Sequence, residues 1–374
     1  MVTAQVLDNA FNGYPRLILR VDASSTIGLG HFIRCMALAQ AWCENGGAGL
    51  ILSCECPSSL LVTHDKNIAF RSLDVVPGSN DDAFATVGLA KHIEASCVVV
   101  DGGRFRSGYR EIISREGLKV LMIDDTGLDA SHANVVLNQN LHAASEMYPG
   151  HPKLLLGPRY ALLRRCFWPS KAQQRVDKDK GCRLLVLFGG SDPVKLTERF
   201  IDLAPKLPLS FNEIVIVVGG GNPRLQEILL RQMESRIIVK YNITDMASEI
   251  AQADLVVSSA GSTIWELCSL STPMVLVAAL DMEVASAKLM AEMGAAIYVG
   301  AGADIDDDSL LSAIVDMASD HVRRKELGFR AGQVVDGAGA LRVCSYIRQE
   351  CNLDPITADD PIRSQTALRR LPFF

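Results

Sequence analysis

The sequence RLILRVDASSTIGLGHFIRC, residues 16–35, predicts a β-strand, a turn and the start of a helix in immediate succession. The run Arg16–Asp22 is rich in aliphatic residues without strict alternation, which is typical of a parallel strand buried on both faces. Gly28 and Gly30 lie in the turn, and the helix is predicted at about residues 31–45. A strand, a glycine turn and a helix in this order are the repeating unit of a doubly wound α/β sheet.

The same alternation of aliphatic runs and helical segments continues along the whole chain. A polar, charged stretch without periodicity, residues 168–181, divides it into two series. We therefore predict an α/β protein of two Rossmann-like doubly wound domains that face a cleft, at residues 1–167 and 182–350, with a linker at 168–181 and a tail at 351–374. The further predicted strands are Gly49–Cys54, Cys97–Asp101, Lys119–Asp125, Asn134–Gln139, Arg183–Phe188, Glu213–Gly219, Arg236–Tyr241, Asp254–Ser259 and Met274–Ala279.

Composition limits the class of function. The 374 residues hold 37 Lys and Arg against 43 Asp and Glu, a net charge of −6 without a basic tract, which argues against a nucleic-acid partner. No apolar run approaches the ~18 residues of a membrane span, and the N-terminus lacks a secretory pattern, so we expect a cytoplasmic protein. The ten cysteines and seven histidines lack metal-ligand spacing. We expect free thiols, no metal, no cofactor and a monomer.

Candidate chemistry falls at the carboxyl ends of the predicted strands, where open α/β sheets bind ligands. His31 follows the first strand and lies in the first helical turn, where the helix dipole favours a neutral imidazole that accepts a proton. The alternative is a histidine that caps the helix or is buried for packing. We expect His31 and Asp22 to be catalytic, and Arg34, in the same segment, to bind substrate.

Acidic and amide side chains end the next strands of the first half. Asp101 ends one strand and Asp124 and Asp125 end the next, so these carboxylates are expected beside the same loops. They can orient a histidine, bind sugar hydroxyls or cap the following turns, and capping is the commoner role of aspartate there. Asn138 begins a run of three amides that suits hydrogen bonding to a sugar, with a plain turn as the alternative.

Two turns in the second half are candidates for phosphate binding. Gly189 and Gly190 follow the first strand of that half. The stretch Gly261–Thr263 opens a helix after a later strand, and small residues at a helix N-terminus offer free N–H groups to an anion. Glu266 follows Thr263 by three residues, which fits either a capping box or a carboxylate that accepts the ribose hydroxyls of a nucleotide.

These motifs together resemble a known family. In chain order they are RVDASSTIGLGHFIRC, VVDG, MIDD, LNQN, LGPRYALLR, FGGSDP, SAGSTIWE and VVDGAGALR. The set resembles that of the UDP-2,4-diacetamido-2,4,6-trideoxy-β-L-altropyranose hydrolases of pseudaminic acid biosynthesis, over about residues 16–346. That family is similar to the peptidoglycan N-acetylglucosaminyltransferase, with a GT-B fold of two Rossmann-like halves, which agrees with the two series of strands.

The resemblance implies a metal-independent hydrolase of a UDP-sugar that serves surface polysaccharide or flagellin glycosylation. It implies that His31 deprotonates a water molecule that attacks the anomeric carbon, so that UDP leaves with inversion. Glu266 matches the acid that binds ribose, and Gly261, Ser262 and Thr263 match the loop that holds the diphosphate.

The matching glycines of the first half, Gly28 and Gly30, would approach the phosphates and the sugar. One motif departs from the family: an acidic residue followed by Asn-Gln reads Asp281-Met282-Glu283 here. Asp281 aligns and remains a substrate-binding candidate, but a thioether and a carboxylate replace two neutral amides. Two alternatives stay open: a glycosyltransferase of the same fold, in which His31 activates an acceptor hydroxyl, and, because of this departure, a sugar-nucleotide-binding protein without activity.

Overall fold

The computed structural model describes residues 13–24, 26–57, 60–61, 65–127, 129–151, 153–168 and 182–355. Except for Trp168, the predicted linker lies outside these ranges, and so does the predicted tail beyond residue 355. Within them the chain forms two compact units. The first takes the chain up to Ile27, His31–Arg165 and the chain from Ala338 on, and the second takes Gly28–Gly30 and Cys166–Gly337.

The first unit contains a parallel sheet of seven strands in the order β3-β2-β1-β4-β5-β6-β7. Its strands are β1 Arg16–Val21, β2 Ala48–Ser53, β3 Ile68–Ser72, β4 Ala95–Asp101, β5 Lys119–Ile123, β6 Val135–Asn138 and β7 Leu154–Leu156. Its helices include α1 Gly30–Glu44, α2 Asn80–His92 and α3 Ser107–Arg115.

The second unit repeats this plan with six parallel strands in the order β10-β9-β8-β11-β12-β13. They are β8 Arg183–Leu187, β9 Glu213–Val218, β10 Ile237–Tyr241, β11 Leu255–Ser259, β12 Met274–Ala278 and β13 Ile297–Ala301. The helices are α4 Leu196–Leu203, α5 Leu225–Leu229, α6 Met246–Ala251, α7 Thr263–Ser269, α8 Asp281–Glu292, α9 Asp307–Ser319 and α10 His321–Val334. The predicted fold class, α/β with two Rossmann-like doubly wound domains, is confirmed.

Burial of the central strands explains why their sequences are continuous aliphatic runs. Residues of β1, β2, β8 and β12 are buried almost throughout because helices cover both faces of each sheet. In each unit the strand order reverses beside the first strand, between β1 and β4 and between β8 and β11. Ligands of doubly wound sheets bind at these switch points, outside the carboxyl ends of the strands. Within the described ranges, no helix has both the length and the apolar character to cross a membrane.

The last helix, α11 (Gly339–Glu350), packs in the first unit rather than the second, in which the sequence placed residues up to 350. Gly339 lies so close to the chain at Ala161 that a Cβ would be 2.3 Å from its carbonyl oxygen. Arg348 donates from Nη1 to the carbonyl of Asn45 at 3.2 Å. Two contacts therefore hold α11 on the first unit: the close approach of Gly339 to Ala161 and the hydrogen bond from Arg348 to the end of α1.

Candidate active site

His31 lies in the first turn of α1, where its ring reaches the carboxyl end of β4. The turn before it contains Gly28 with φ +86°, a left-handed conformation that glycine adopts without strain, and α1 begins at Gly30. His31 Nδ1 is 2.7 Å from Oδ1 of Asp101, the last residue of β4. The side chain of His31 is 28 % exposed and that of Asp101 is 0 % exposed. A buried carboxylate thus holds a histidine that solvent can reach.

Arg34, one turn further along α1, joins two carboxylates through both edges of its guanidinium group. Nε and Nη2 donate to Asp101 Oδ2 and Oδ1, each at 2.6 Å. Nη1 and Nη2 donate to Asp125 Oδ1 and Oδ2 at 2.8 and 2.9 Å. Asn140 Nδ2 donates to Asp125 Oδ1 at 2.8 Å. These are two bidentate charge-assisted pairs. Arg34 was predicted to bind substrate, but in the structure its guanidinium group joins Asp101 to Asp125.

The hydrogen bonds of Arg34 assign the tautomer of His31. Nη2 of Arg34 has two protons, and Asp101 and Asp125 accept them. Nη2 also lies 2.9 Å from His31 Nδ1 but has no proton left to donate there. Nδ1 therefore carries its own proton and donates it to Asp101. In neutral His31 the lone pair is then on Nε2, the arrangement that a proton acceptor requires.

Electrostatics keeps both carboxylates of this cluster ionised. Burial alone would raise the pKa of Asp101, but the charge of Arg34 and the contact with His31 outweigh it and hold this pKa well below its usual value. The pKa of Asp125 is lowered in the same way, with burial opposed chiefly by Arg34. Burial would lower the pKa of Arg34, yet the two carboxylates raise it well above normal.

Asp124 and Asn138 form a second network, beneath the surface. Asp124 Oδ2 accepts hydrogen bonds from the Tyr148 hydroxyl and from the N–H of Gly127, both at 2.6 Å. Asn138 is fully buried and donates from Nδ2 to the Tyr148 oxygen at 2.9 Å. Its Oδ1 accepts from Nδ2 of Asn140 at 3.0 Å. Asn138 therefore orients protein groups, and the structure does not bring it to a surface where a sugar could bind.

Asp22, the second predicted catalytic residue, is hydrogen-bonded to residues other than His31. Its Oδ1 accepts from Arg20 Nη1 and from the N–H of Cys54, each at 2.7 Å, and from Ser53 Oγ at 3.1 Å. Asp22 is 4 % exposed. Burial opposes its ionisation, but Arg20 prevails and lowers the pKa of Asp22. Of the carboxylates in the described part of the chain, Asp101 and not Asp22 bonds to His31.

The glycine turn after β8 is built by close packing of main chains. Gly189 has φ +75°. The N–H of Gly221 donates to the carbonyl of Gly190 at 3.0 Å. A Cβ on Gly219 would lie 2.3 Å from that same carbonyl, so only glycine fits there. Gly189 and Gly190 thus form a tight turn at the carboxyl end of β8, as predicted from the sequence.

The turn after β11 leads directly into α7. Ser262 is the N-cap of this helix and makes no side-chain capping bond. The helix begins at Thr263 with Ser262 as its N-cap, so Thr263 does not occupy the N-cap position from which a capping box with Glu266 would start. Glu266 lies in the first turn of α7 and is partly buried. Gly261, Ser262, Thr263 and Glu266 are therefore brought together on one short segment.

The motif that differs from the resembling family, Asp281-Met282-Glu283, lies at the start of α8. Asp281 and Met282 are exposed, but Glu283 turns inward and accepts the N–H of Ala279 at 2.7 Å through Oε2. Its Oε1 is 2.9 Å from the point that a Cβ on Gly261 would occupy. Burial raises the pKa of Glu283 against the opposing effect of backbone N–H groups. The sequence identified the substitution but not this contact.

No three His, Cys, Asp or Glu side chains in the described ranges come together as metal ligands would. None of the ten cysteines, which all lie in those ranges, forms a disulfide. Sequence reasoning also missed the pairing of Arg34 with Asp125 and the role of Asn140. The available signal was spacing, since residues three apart on a helix, such as His31 and Arg34, share a face.

Comparisons with known proteins agree with this architecture. Residues 184–330 match the family model described as the glycosyltransferase family 28 C-terminal domain. The spore coat polysaccharide biosynthesis protein SpsG of Bacillus subtilis (strain 168) is 27 % identical over 235 residues, 61 % of this chain and 68 % of that protein. The UDP-2,4-diacetamido-2,4,6-trideoxy-β-L-altropyranose hydrolase of Campylobacter jejuni is 23 % identical over 257 residues, 67 % of this chain and 87 % of that protein.

The crystal structure of MurG from Acinetobacter baumannii is similar over nearly the full length. It has a TM-score of 0.61 at 19 % identity, covering 90 % of this chain and 99 % of that one. The chain therefore has the fold of the GT-B proteins. Its second unit contains the region that resembles the C-terminal domain of glycosyltransferase family 28, and the chain is related to enzymes of nucleotide-sugar metabolism.

Proposed function

We propose that the protein hydrolyses a UDP-linked diacetamido-trideoxy sugar at the anomeric C–O bond and releases UDP and the free sugar with inversion. The observation that carries this proposal is the His31–Asp101 pair at the switch point of the first sheet. Its geometry leaves Nε2 of His31 as a proton acceptor on a partly exposed ring. The curated hydrolase of Campylobacter jejuni is the relative whose activity this arrangement would serve.

In the proposed reaction, Nε2 of His31 takes a proton from a water molecule while the water oxygen attacks the anomeric carbon. The bond between that carbon and the phosphate oxygen breaks, and UDP leaves with the bonding electrons. The imidazolium that forms is stabilised by the buried Asp101 carboxylate at Nδ1. Arg34 holds Asp101 in place, and the proton on His31 then passes to solvent.

The second unit would bind the nucleotide. Gly261, Ser262 and Thr263 form the turn at the start of α7, and the main chain at a helix N-terminus favours phosphate. Glu266 lies in the first turn of the same helix, where a carboxylate can accept two ribose hydroxyls. The match of residues 184–330 to a glycosyltransferase C-terminal domain supports a sugar nucleotide as the ligand.

The same match supports a second candidate, a glycosyltransferase in which His31 deprotonates an acceptor hydroxyl instead of water. A panel of UDP-sugars, with and without sugar or lipid-linked acceptors, separates the two. A hydrolase releases UDP at the same rate in both conditions, and EDTA leaves that rate unchanged. A transferase releases UDP only when the acceptor is present, and that outcome would overturn the hydrolase proposal.

A further inference from the structure

The carboxylate of Glu283 lies against the turn that joins β11 to α7. Glu283 is in the first turn of α8, and its Oε2 accepts the N–H of Ala279 at 2.7 Å. Its Oε1 is 2.9 Å from the position of a Cβ on Gly261, so the oxygen touches the main chain of the turn. The N–H groups of Leu280 and Ala260 also favour the charged form of the carboxylate. Glu283 is thus a negative charge held by backbone groups beside Gly261.

Among the described residues, no cationic side chain is one of the groups that shift the pKa of Glu283. The opposing effects are burial, which is the larger and raises the pKa of Glu283, and the three backbone N–H groups, which lower it. The other acidic side chains of the elements around it, Asp281 on α8 and Glu266 on α7, do not contribute to the shift. A second negative charge brought to Gly261 would therefore meet Glu283 without a neutralising side chain.

We propose that Glu283 is a specificity determinant of the nucleotide site: its fixed charge against Gly261 disfavours a phosphate on this turn unless Glu283 takes up a proton. The inference rests on the proposed function, which assigns Gly261–Thr263 to the diphosphate. It predicts that the site discriminates ligands by phosphate charge, and that binding of a nucleoside diphosphate is coupled to proton uptake.

The sign of this coupling follows from linkage. An anion beside Glu283 favours the protonated carboxyl, so affinity for the anion rises as pH falls. The pKa of Glu283 has one value in the free protein and a higher one when the anion is bound. At a pH above both of these values, removal of the charge strengthens binding about tenfold for each unit by which the ligand raises the pKa. A neutral ligand does not interact with the charge and is unaffected by its removal.

The test compares the affinities of the wild type, Glu283→Gln and Glu292→Gln for UDP and for uridine at pH 8 and pH 6. Glu292→Gln is the matched control, since it removes the same charge from the exposed far end of α8. We expect Glu283→Gln to bind UDP about tenfold more tightly than the wild type at pH 8 and by a smaller factor at pH 6. Affinity for uridine should not change. The ratio of the UDP affinities of the two proteins at each pH cancels the effect of the titration of UDP itself.

Equal UDP affinities of wild type and Glu283→Gln at both pH values would overturn the role of Glu283 and leave nucleotide binding intact. If neither protein binds UDP while both remain folded, the proposed function fails, and the role of Glu283 fails with it. Should Glu283→Gln not fold, calorimetry of UDP binding to the wild type in two buffers of different ionisation enthalpy replaces it. Proton uptake beyond that of UDP alone supports the proposal, and its absence overturns it.

Discussion

Nδ1 of His31 lies 2.7 Å from Oδ1 of Asp101, and the carboxylate that fixes the imidazole is itself fully buried. Asp101 does not bond to His31 alone, because Arg34 donates a hydrogen bond to each of its carboxylate oxygens at 2.6 Å. The orientation of the proposed base therefore depends on the guanidinium group of Arg34, which is almost completely buried.

The tautomer of His31 is the first prediction, and it needs no substrate. In the wild type, nitrogen NMR of the neutral ring should show a protonated Nδ1 and an unprotonated Nε2. Arg34→Lys keeps a positive charge but loses the bidentate contacts with Asp101 and Asp125, so it should give a mixture of tautomers. The matched control is His132→Asn, at an exposed residue with φ +66°, a conformation that asparagine accepts. A protonated Nε2 in the wild type would contradict the assignment.

Stability towards acid is the second prediction. The folded-state pKa values of Asp101 and Asp125 are lowered, so these groups contribute stability above their unfolded value of about 3.9 and lose it as pH falls through the folded values. The free energy of unfolding should decrease from about pH 5 downward. The Asp125→Asn protein should have a free energy of unfolding about 1–3 kcal/mol lower than the wild type at pH 7. Between pH 5 and pH 3 its free energy of unfolding should change less with pH than that of the wild type. Asp74→Asn, at an exposed carboxylate of the same unit, should match the wild type.

Chemical denaturation at each pH measures both quantities. A wild type whose unfolding free energy does not fall between pH 5 and pH 3, or an Asp125→Asn protein with the wild-type slope, would show that Arg34 does not stabilise these carboxylates as described.

Nucleotide binding through Glu266 is the third prediction. Charge-assisted hydrogen bonds contribute about 1.5–3 kcal/mol each, so Glu266→Ala should weaken UDP binding at least about tenfold. The capping-box interpretation predicts instead a loss of about 1 kcal/mol of stability with UDP affinity nearly intact. UDP titration and a melting curve on the same protein check both statements. Lower stability with unchanged UDP affinity would remove Glu266 from the site.

Attachment of α11 to the first unit gives the fourth prediction. A Cβ on Gly339 would lie 2.3 Å from the Ala161 carbonyl, so Gly339→Ala must displace main chain and should cost about 1–3 kcal/mol. Gly88→Ala is the matched control, in an exposed helical position with no atom within 4 Å of the new Cβ. The free energy of unfolding of the Gly88→Ala protein should be about 0.5–1 kcal/mol higher than that of the wild type. Equal melting temperatures of the two variants would contradict the close packing at Gly339.

Most strands that the sequence predicted are buried on both faces, because a continuous aliphatic run is the signal of such burial. The exception is β10, an edge strand that was predicted from the run Arg236–Tyr241 although most of its residues are not buried. The three strands that it missed, Ile68–Ser72, Leu154–Leu156 and Ile297–Ala301, all lie at sheet edges. Edge strands are covered less completely and tolerate residues such as Arg71 and Gly300. Their patterns therefore carry little of the signal that burial imposes.

In the site, the sequence placed His31 after the first strand and Asp101 at the end of a later one, but it could not pair them. The position of a carboxylate at a strand end does not say which way it turns, so Asp22 was expected to be catalytic although it bonds to Arg20 and not to His31. Asp22 directly follows β1, and a period of two puts it on the same side of the chain as Arg20, which signals the ion pair between them at 2.7 Å. Packing of helix against sheet, which sequence does not specify, decides that Arg34 faces Asp101 and Asp125.

The most direct test of the account is hydrolysis of UDP-2,4-diacetamido-2,4,6-trideoxy-β-L-altropyranose in ¹⁸O-labelled water without an acceptor, followed by mass spectrometry of both products. We predict that the free sugar contains one ¹⁸O and that UDP contains none. His31→Asn should lower the rate by about 10²–10⁴-fold, as is typical of a positioned base, with UDP affinity little changed. Label in UDP, no release of UDP without an acceptor, or a His31→Asn rate within a few-fold of the wild type would contradict the account.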